Sequence, residues 1–167
     1  ILNWNGDGVS CYFIALVEGN GNEFQIDTVT VTGEDSVPPP NTHTLVGSDD
    51  ARVDIVDVLP AISVDKTANP TSVLEGAGEQ VVFTVKIFNT SIADPLEITM
   101  LDDDIYGDLN TLVPGGDIIA NGCNGIVGTV IPLGGDISCS FTAVVDGPGG
   151  SLQTDTVTAY GVDDEDP

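Results

Sequence analysis

Apolar and polar residues alternate with a period of two along several short segments, and this pattern predicts β-strands because successive side chains of a strand point to opposite faces. The clearest segments each place apolar side chains on one face: Val81, Phe83, Val85 and Ile87 in Gln80–Asn89; Cys139, Phe141, Ala143 and Val145 in Ser138–Gly147; Val157 and Ala159 in Thr154–Gly161. No comparable segment shows a helical period.

Further strands are predicted at Ala51–Val58, Ala61–Thr67, Leu96–Leu101 and Gly125–Ile131. Clusters of Gly, Pro, Asn and Asp separate the strands, and such clusters are typical of turns. Evenly spaced strands joined by tight turns predict an all-β sandwich.

The chain is similar to itself at a spacing of 128 residues. Residues 1–39 align with 129–167 without a gap, and Ser10–Asp35 is identical to Ser138–Asp163 at 14 of 26 positions. Similarity at domain length is typical of tandem repeats. We therefore expect residues 1–60 to be the C-terminal half of one sandwich repeat, and residues 61–167 to be a second repeat that lacks its last strand.

An incomplete sandwich exposes an unpaired sheet edge, which natural proteins cover or avoid. We therefore expect more polypeptide to complete each repeat, in an end-to-end, fibre-like arrangement of neighbouring copies. The completing strands would come from the same longer chain or from a neighbouring subunit by strand addition.

The formal net charge of −24 restricts the partners. Only Arg52, Lys66 and Lys86 are basic, against 27 acidic residues. Phosphate binding requires clustered cations, so nucleic acid is excluded, and an anionic membrane surface is disfavoured for the same reason. No apolar run is long enough to span a membrane, so no membrane insertion is expected in this sequence.

Three cysteines suggest one disulfide. The strand pattern places Cys139 on an inward face and Cys123 in the preceding loop, so we expect these two to pair. Cys11 corresponds to Cys139 at the spacing of 128 and is expected to be unpaired within this sequence. The alternative is three buried free thiols in a reducing compartment.

Clusters of acidic residues are the candidate metal site. Asp102, Asp103, Asp104 and Asp108 follow one predicted strand, and Asp163 and Asp164 follow another. Oxygen-rich clusters without histidine suit Ca²⁺ better than a transition metal. The alternative is a solvated acidic surface that keeps the protein soluble.

The sequence offers no catalytic constellation. His43 is the only histidine and lies in a predicted loop, and no G-x-S-x-G turn accompanies it, so a Ser-His-Asp triad is not expected. We predict that the protein is not an enzyme. Asn89 begins the one N-x-[ST] triplet without proline and is a candidate for glycosylation.

Several segments resemble, in the right order, the Ig-like "conserved repeat" domains of bacterial surface proteins. The segments are DKTANPTSVLEGAGEQVVFTVKIFNTS, ITMLDDDIYGDLN, the two cysteines and DTVTAYGVDDE, together with the strand-like GSDDARVDIVDVLP. The resemblance implies that both repeats, 1–60 and 61–167, are Ig-like antiparallel β-sandwiches arranged in tandem. It also implies an extracellular or cell-surface location and a structural or adhesive role.

Two classes of function are consistent with these features. The first is a structural module of an extracellular stalk, fibre or filament. The second is a calcium-dependent adhesin module that binds a carbohydrate or a protein. Exposed aromatic residues near the acidic loops would favour the adhesin, and few are available, so the structural interpretation is preferred.

Overall fold

The computed structural model describes residues 8–35, 39 and 42–163, and these form strands and loops without a helix. The strands are β1 (Phe24–Glu34), β2 (Thr44–Asp54), β3 (Ile62–Asn69), β4 (Glu79–Asn89), β5 (Leu96–Asp103), β6 (Gly107–Asp108), β7 (Ile118–Asn121), β8 (Val130–Ile131), β9 (Asp136–Val145) and β10 (Val157–Val162). All pairings between these strands are antiparallel. The prediction of an all-β protein is confirmed. The described residues include no helix long and apolar enough to cross a membrane.

The chain divides into two compact units, Ile1–Asp57 and Val58–Pro167. The first unit contains the hairpin of β1 and β2, which pair from Phe24 opposite Asp54 to Glu34 opposite Thr44. Every residue of both strands is exposed. All core residues that the structure describes belong to the second unit.

The second unit contains two antiparallel sheets. One has the strand order β3-β4-β9-β7, and in the other β5 pairs with β10, β6 and β8. Side chains from both sheets form a single core. It includes Val85 and Ile87 of β4, Ile98 and Leu101 of β5 and, on β9, Phe141.

The alternation predicted for β4 is confirmed, since Val81, Phe83, Val85 and Ile87 are all buried. Burial of each large apolar side chain stabilises the fold by roughly 1.5–3 kcal/mol. Aromatic rings join the sheets at one end of this core. The ring centroids of Phe83 and Phe141 lie 5.1 Å apart, and the ring of Tyr106 lies 5.2 Å from that of Phe141.

Two predicted strands were placed incorrectly. In Gly125–Ile131 only Val130 and Ile131 are in a strand, because Gly125 and Gly128 adopt positive φ angles of 81° and 84° that suit turns. The strand predicted at Ala51–Val58 ends at Asp54 and begins earlier, at Thr44. Its extent follows its partner β1, which begins at Phe24 opposite Asp54.

A disulfide links the loop after β7 to strand β9. The sulfur atoms of Cys123 and Cys139 lie 2.03 Å apart, which agrees with the expected pairing. Cys123 is buried against the core. Cys11 is exposed, and it is free among the residues that the structure describes.

Candidate functional site

The side chain of Lys66 points into the second unit. Strand β3 alternates between half-buried and exposed positions, and Lys66 shares the half-buried face with Ile62, Val64 and Ala68. Only 11% of its side chain is exposed. A cation at an inward position requires partners, because burial without them costs several kcal/mol.

Two buried carboxylates are the partners of Lys66. Its Nζ lies 2.5 Å from Oδ2 of Asp103, and it also contacts Oδ1 of Asp155. The side chain of Asp103 is fully buried and that of Asp155 is 6% exposed. The chain therefore brings one amine and two carboxyl groups together away from solvent.

The backbone of the β5–β6 turn fixes the orientation of Asp103. Its Oδ1 accepts hydrogen bonds from the amides of Ile105, at 3.0 Å, and Tyr106, at 3.1 Å. These bonds leave Oδ2 directed toward Lys66. Asp103 is thus held in place by its own turn and does not depend on the lysine for its position.

The environment of Asp155 is less polar. Its Oδ2 is buried and has no hydrogen-bond partner among the described residues. Burial raises the pKa of the Asp155 carboxyl, and the hydrogen bond from Lys66 opposes this rise. The next residue is anchored, because the amide of Thr156 donates to Oδ1 of Asp104 at 2.7 Å.

Aromatic rings form the wall of this site. The Nζ of Lys66 lies 4.7 Å from the ring centroid of Phe83, 5.3 Å from that of Phe141 and 6.0 Å from that of Tyr106. Such contacts favour a cation and also exclude water. Burial raises the pKa of the Tyr106 hydroxyl, which keeps that ring neutral.

Part of the predicted calcium site is brought together. Oxygens of Asp103, Asp104 and Asp155 lie within 4.8 Å of one another, so these residues could hold a metal ion. The ammonium group of Lys66 already contacts Asp103 and Asp155. The cluster thus contains its own cation.

The other described residues predicted to bind Ca²⁺ do not belong to this cluster. Asp108 accepts from the amide of Asn110 at 2.9 Å and from the hydroxyl of Thr111 at 2.8 Å, within its own turn. Asp102 lies opposite Asp108 in the register of β5 and β6. Asp163 is buried and follows the far end of β10, away from Asp155, and Asp164 lies outside the described residues.

Asn89 is not presented for glycosylation in the folded protein. It is 3% exposed, and its Nδ2 donates to the carbonyls of Asp94 at 2.9 Å and Ile131 at 3.1 Å. Its Oδ1 accepts from the amide of Ser91 at 2.9 Å. The nitrogen that a glycan would modify is therefore occupied in fixing the loop before β5.

Sequence reasoning missed Lys66 and Asp155 as site residues. The alternation of inward and outward positions could have identified both residues. Lys66 shares its face with the apolar positions of β3, and Asp155 has the same parity as Val157 and Ala159. A charged residue at an inward position of a strand is informative because buried charges require a partner.

The comparisons give no family for this chain: no protein-family model matches it, and neither curated proteins nor solved structures give a significant match.

Proposed function

We propose that the protein is a structural module of an extracellular stalk, fibre or filament, built from Ig-like sandwiches in tandem. The observation that carries the proposal is a difference between two similar segments. Val29–Glu34 of β1 corresponds to Val157–Val162 of β10 at the spacing of 128 residues. Val157 and Ala159 pack against the core of the second unit, whereas their counterparts Val29 and Val31 are 49% and 64% exposed.

The hairpin therefore displays a face that the second unit uses for its core. Leu45 lies opposite Gly33, and Val53 lies opposite Gln25, so both share the face of Val29 and Val31. Leu45 is 64% exposed and Val53 is 49% exposed. The same face also carries Asp27 and Asp49, but its exposed apolar side chains are typical of an interaction site. Another copy of the module would cover it.

Strand β10 has an edge that another strand could join. Among the described strands it pairs only with β5, so its other edge is open. Its counterpart in the hairpin pairs with β2 along its full length. Because β2 of this chain is already paired with β1, a β2-like strand contributed by a further repeat would pair with β10 in the same manner, by strand addition.

The disulfide and the net charge of the chain support a structural role outside the cell. Disulfides persist in oxidising compartments, and the one between Cys123 and Cys139 supports an extracellular location. The net charge of −24 favours solubility and opposes nonspecific association. Assembly would thus depend on specific strand and side-chain contacts.

The protein is expected to self-associate when concentrated at moderate salt, which screens the repulsion between copies. Analytical ultracentrifugation and electron microscopy should show oligomers or short fibres. Val31→Lys should abolish them, because it places a charge among the exposed apolar side chains of the hairpin. Val113→Lys is the matched control, since Val113 is 75% exposed in the second unit. A monodisperse monomer at every concentration and salt level would contradict the proposal.

A calcium-dependent adhesin is the second candidate, and the acidic cluster of Asp103, Asp104 and Asp155 is the observation in its favour. Specific Ca²⁺ binding to the native state would stabilise it by about 2.7 kcal/mol at a hundredfold excess over Kd. The structural proposal instead attributes any effect of salt to screening of the negative charge.

Melting curves in EDTA, Ca²⁺ and Mg²⁺ separate these two candidates. The structural proposal predicts equal Tm values in Ca²⁺ and Mg²⁺ at matched ionic strength. The adhesin requires a rise in Tm that is specific for Ca²⁺ and is lost in Asp104→Asn. Asp65→Asn is a suitable control, because Asp65 lies on the exposed face of β3.

A further inference from the structure

We propose that Lys66 and Asp155 become joined by an intramolecular amide bond, an isopeptide cross-link that the folded chain forms by itself. The bond would connect Nζ of Lys66 to Cγ of Asp155. Asp103 would transfer the protons that the reaction requires.

Proximity favours this reaction. Lys66 Nζ contacts Oδ1 of Asp155 in the folded chain, although the two residues are 89 positions apart in sequence. Both side chains are nearly inaccessible to solvent. Holding two reacting groups in contact removes most of the entropic barrier to a bimolecular reaction. The fold thus acts as the template.

The hydrogen bonding of Asp155 also favours the amide. A buried ionised carboxylate normally has hydrogen bonds to both oxygens, yet Oδ2 of Asp155 has none among the described residues. An amide retains only one of the two carboxyl oxygens. The surroundings therefore match the cross-linked form better than an ion pair.

The apolar surroundings of the pair also protect an amide bond once it has formed. Phe83, Phe141 and Tyr106 surround the amine. The rings exclude bulk water from the pair, and this disfavours hydrolysis of an amide formed there.

The reaction balances without a co-reactant. Asp103, 2.5 Å from Lys66 Nζ, accepts a proton from the amine as the nitrogen attacks Cγ of Asp155. The tetrahedral intermediate then breaks its bond to one oxygen, which leaves as water after receiving the proton from Asp103. One C–N bond and one water molecule form, one C–O bond breaks, and nothing is oxidised or reduced. Lys66 and Asp155 also line a pocket that opens to solvent, which gives the water a way out.

The bond would close the second unit. Lys66 lies on β3, the first strand of this unit, and Asp155 lies two residues before β10, the last described strand. The mechanical consequence rests on the proposed function: in a fibre under tension, force would pass from β3 to β10 through a covalent link and bypass the core between them.

The test is the intact mass of the purified chain, reduced and alkylated so that the disulfide does not contribute. The wild type should be lighter than its sequence by one water molecule. After proteolysis, a branched peptide should contain both Lys66 and Asp155. Lys66→Arg and Asp155→Ala should have the full sequence mass, and Asp103→Asn should accumulate the uncross-linked form.

Circular dichroism should establish that each variant is folded before its mass is interpreted. Lys66→Arg also excludes another source of water loss, cyclisation at an Asp-Gly step such as Asp146–Gly147, which this variant retains. A wild-type mass equal to that of the sequence would overturn the proposal, and so would a water loss that persists in Lys66→Arg. If the chain is cross-linked but stays monomeric, the cross-link proposal stands and only its role in a fibre is contradicted.

Discussion

Replacing Lys66 with methionine should destabilise the second unit by at least about 3–5 kcal/mol, because removal of one partner of a buried ion pair leaves uncompensated charge. Asp103 and Asp155 would then be two buried carboxylates without their cation. That cost applies to the chain without the cross-link. In the cross-linked chain Lys66 Nζ is an uncharged amide nitrogen, and the main cost is instead loss of the cross-link: in the chain-entropy model, closing a loop of this length is worth about 4–5 kcal/mol. Urea unfolding followed by circular dichroism measures the difference in stability.

The matched control is Lys86→Met. Lys86 pairs with Asp136 at 3.1 Å, but the two side chains are 41% and 44% exposed. Exposed pairs contribute about 0–1 kcal/mol, so this variant should unfold close to the wild type. Similar losses for the two methionine variants would show that the buried cluster has no special role.

Replacing Phe141 with alanine should cost about 3–5 kcal/mol, because it leaves a cavity in the core. Phe141 is 1% exposed, and its ring contacts those of Phe83 and Tyr106. The substitution also removes one wall of the Lys66 site. It should therefore lower the yield of the cross-linked form as well as the stability.

The control for Phe141 lies in the same chain. Phe13 occupies the equivalent position at the spacing of 128 residues, but 66% of it is exposed. Phe13→Ala should change the free energy of unfolding by no more than about 0.5 kcal/mol, as exposed substitutions usually do. A comparable loss in both variants would mean that the first unit already has a core.

The sequence predicted the parts of the fold that depend on alternation. The inward positions are apolar without interruption from Val81 to Ile87 in β4 and from Ile137 to Val145 in β9, and the buried side chains follow them. The pattern was less informative where apolar residues lie in a turn. Val127 has the character of a strand residue, but its amide binds Oδ1 of Asn110, as does that of Gly125.

The candidate site was harder to predict because its members come from distant segments. Asp103 was identified from its acidic neighbours, but the same reasoning grouped it with Asp108 and Asp163. Those two lie in another turn and beyond the far end of β10. Only the pairing of β5 with β10, which places Val157 opposite Asp103, brings Asp155 to the cluster. Strand pairing of this kind cannot be derived from local sequence pattern.

The most direct test of the cross-link between Lys66 and Asp155, and of its role in a fibre, is to unfold single molecules by force. The chain should be held by its two ends under reducing conditions, so that the disulfide between Cys123 and Cys139 does not limit extension. The 89 positions between Lys66 and Asp155 correspond to about 300 Å of extended chain. Wild-type molecules are expected to extend less than Lys66→Arg molecules by this length. Equal extension of the two would contradict the cross-link and the mechanical role built on it.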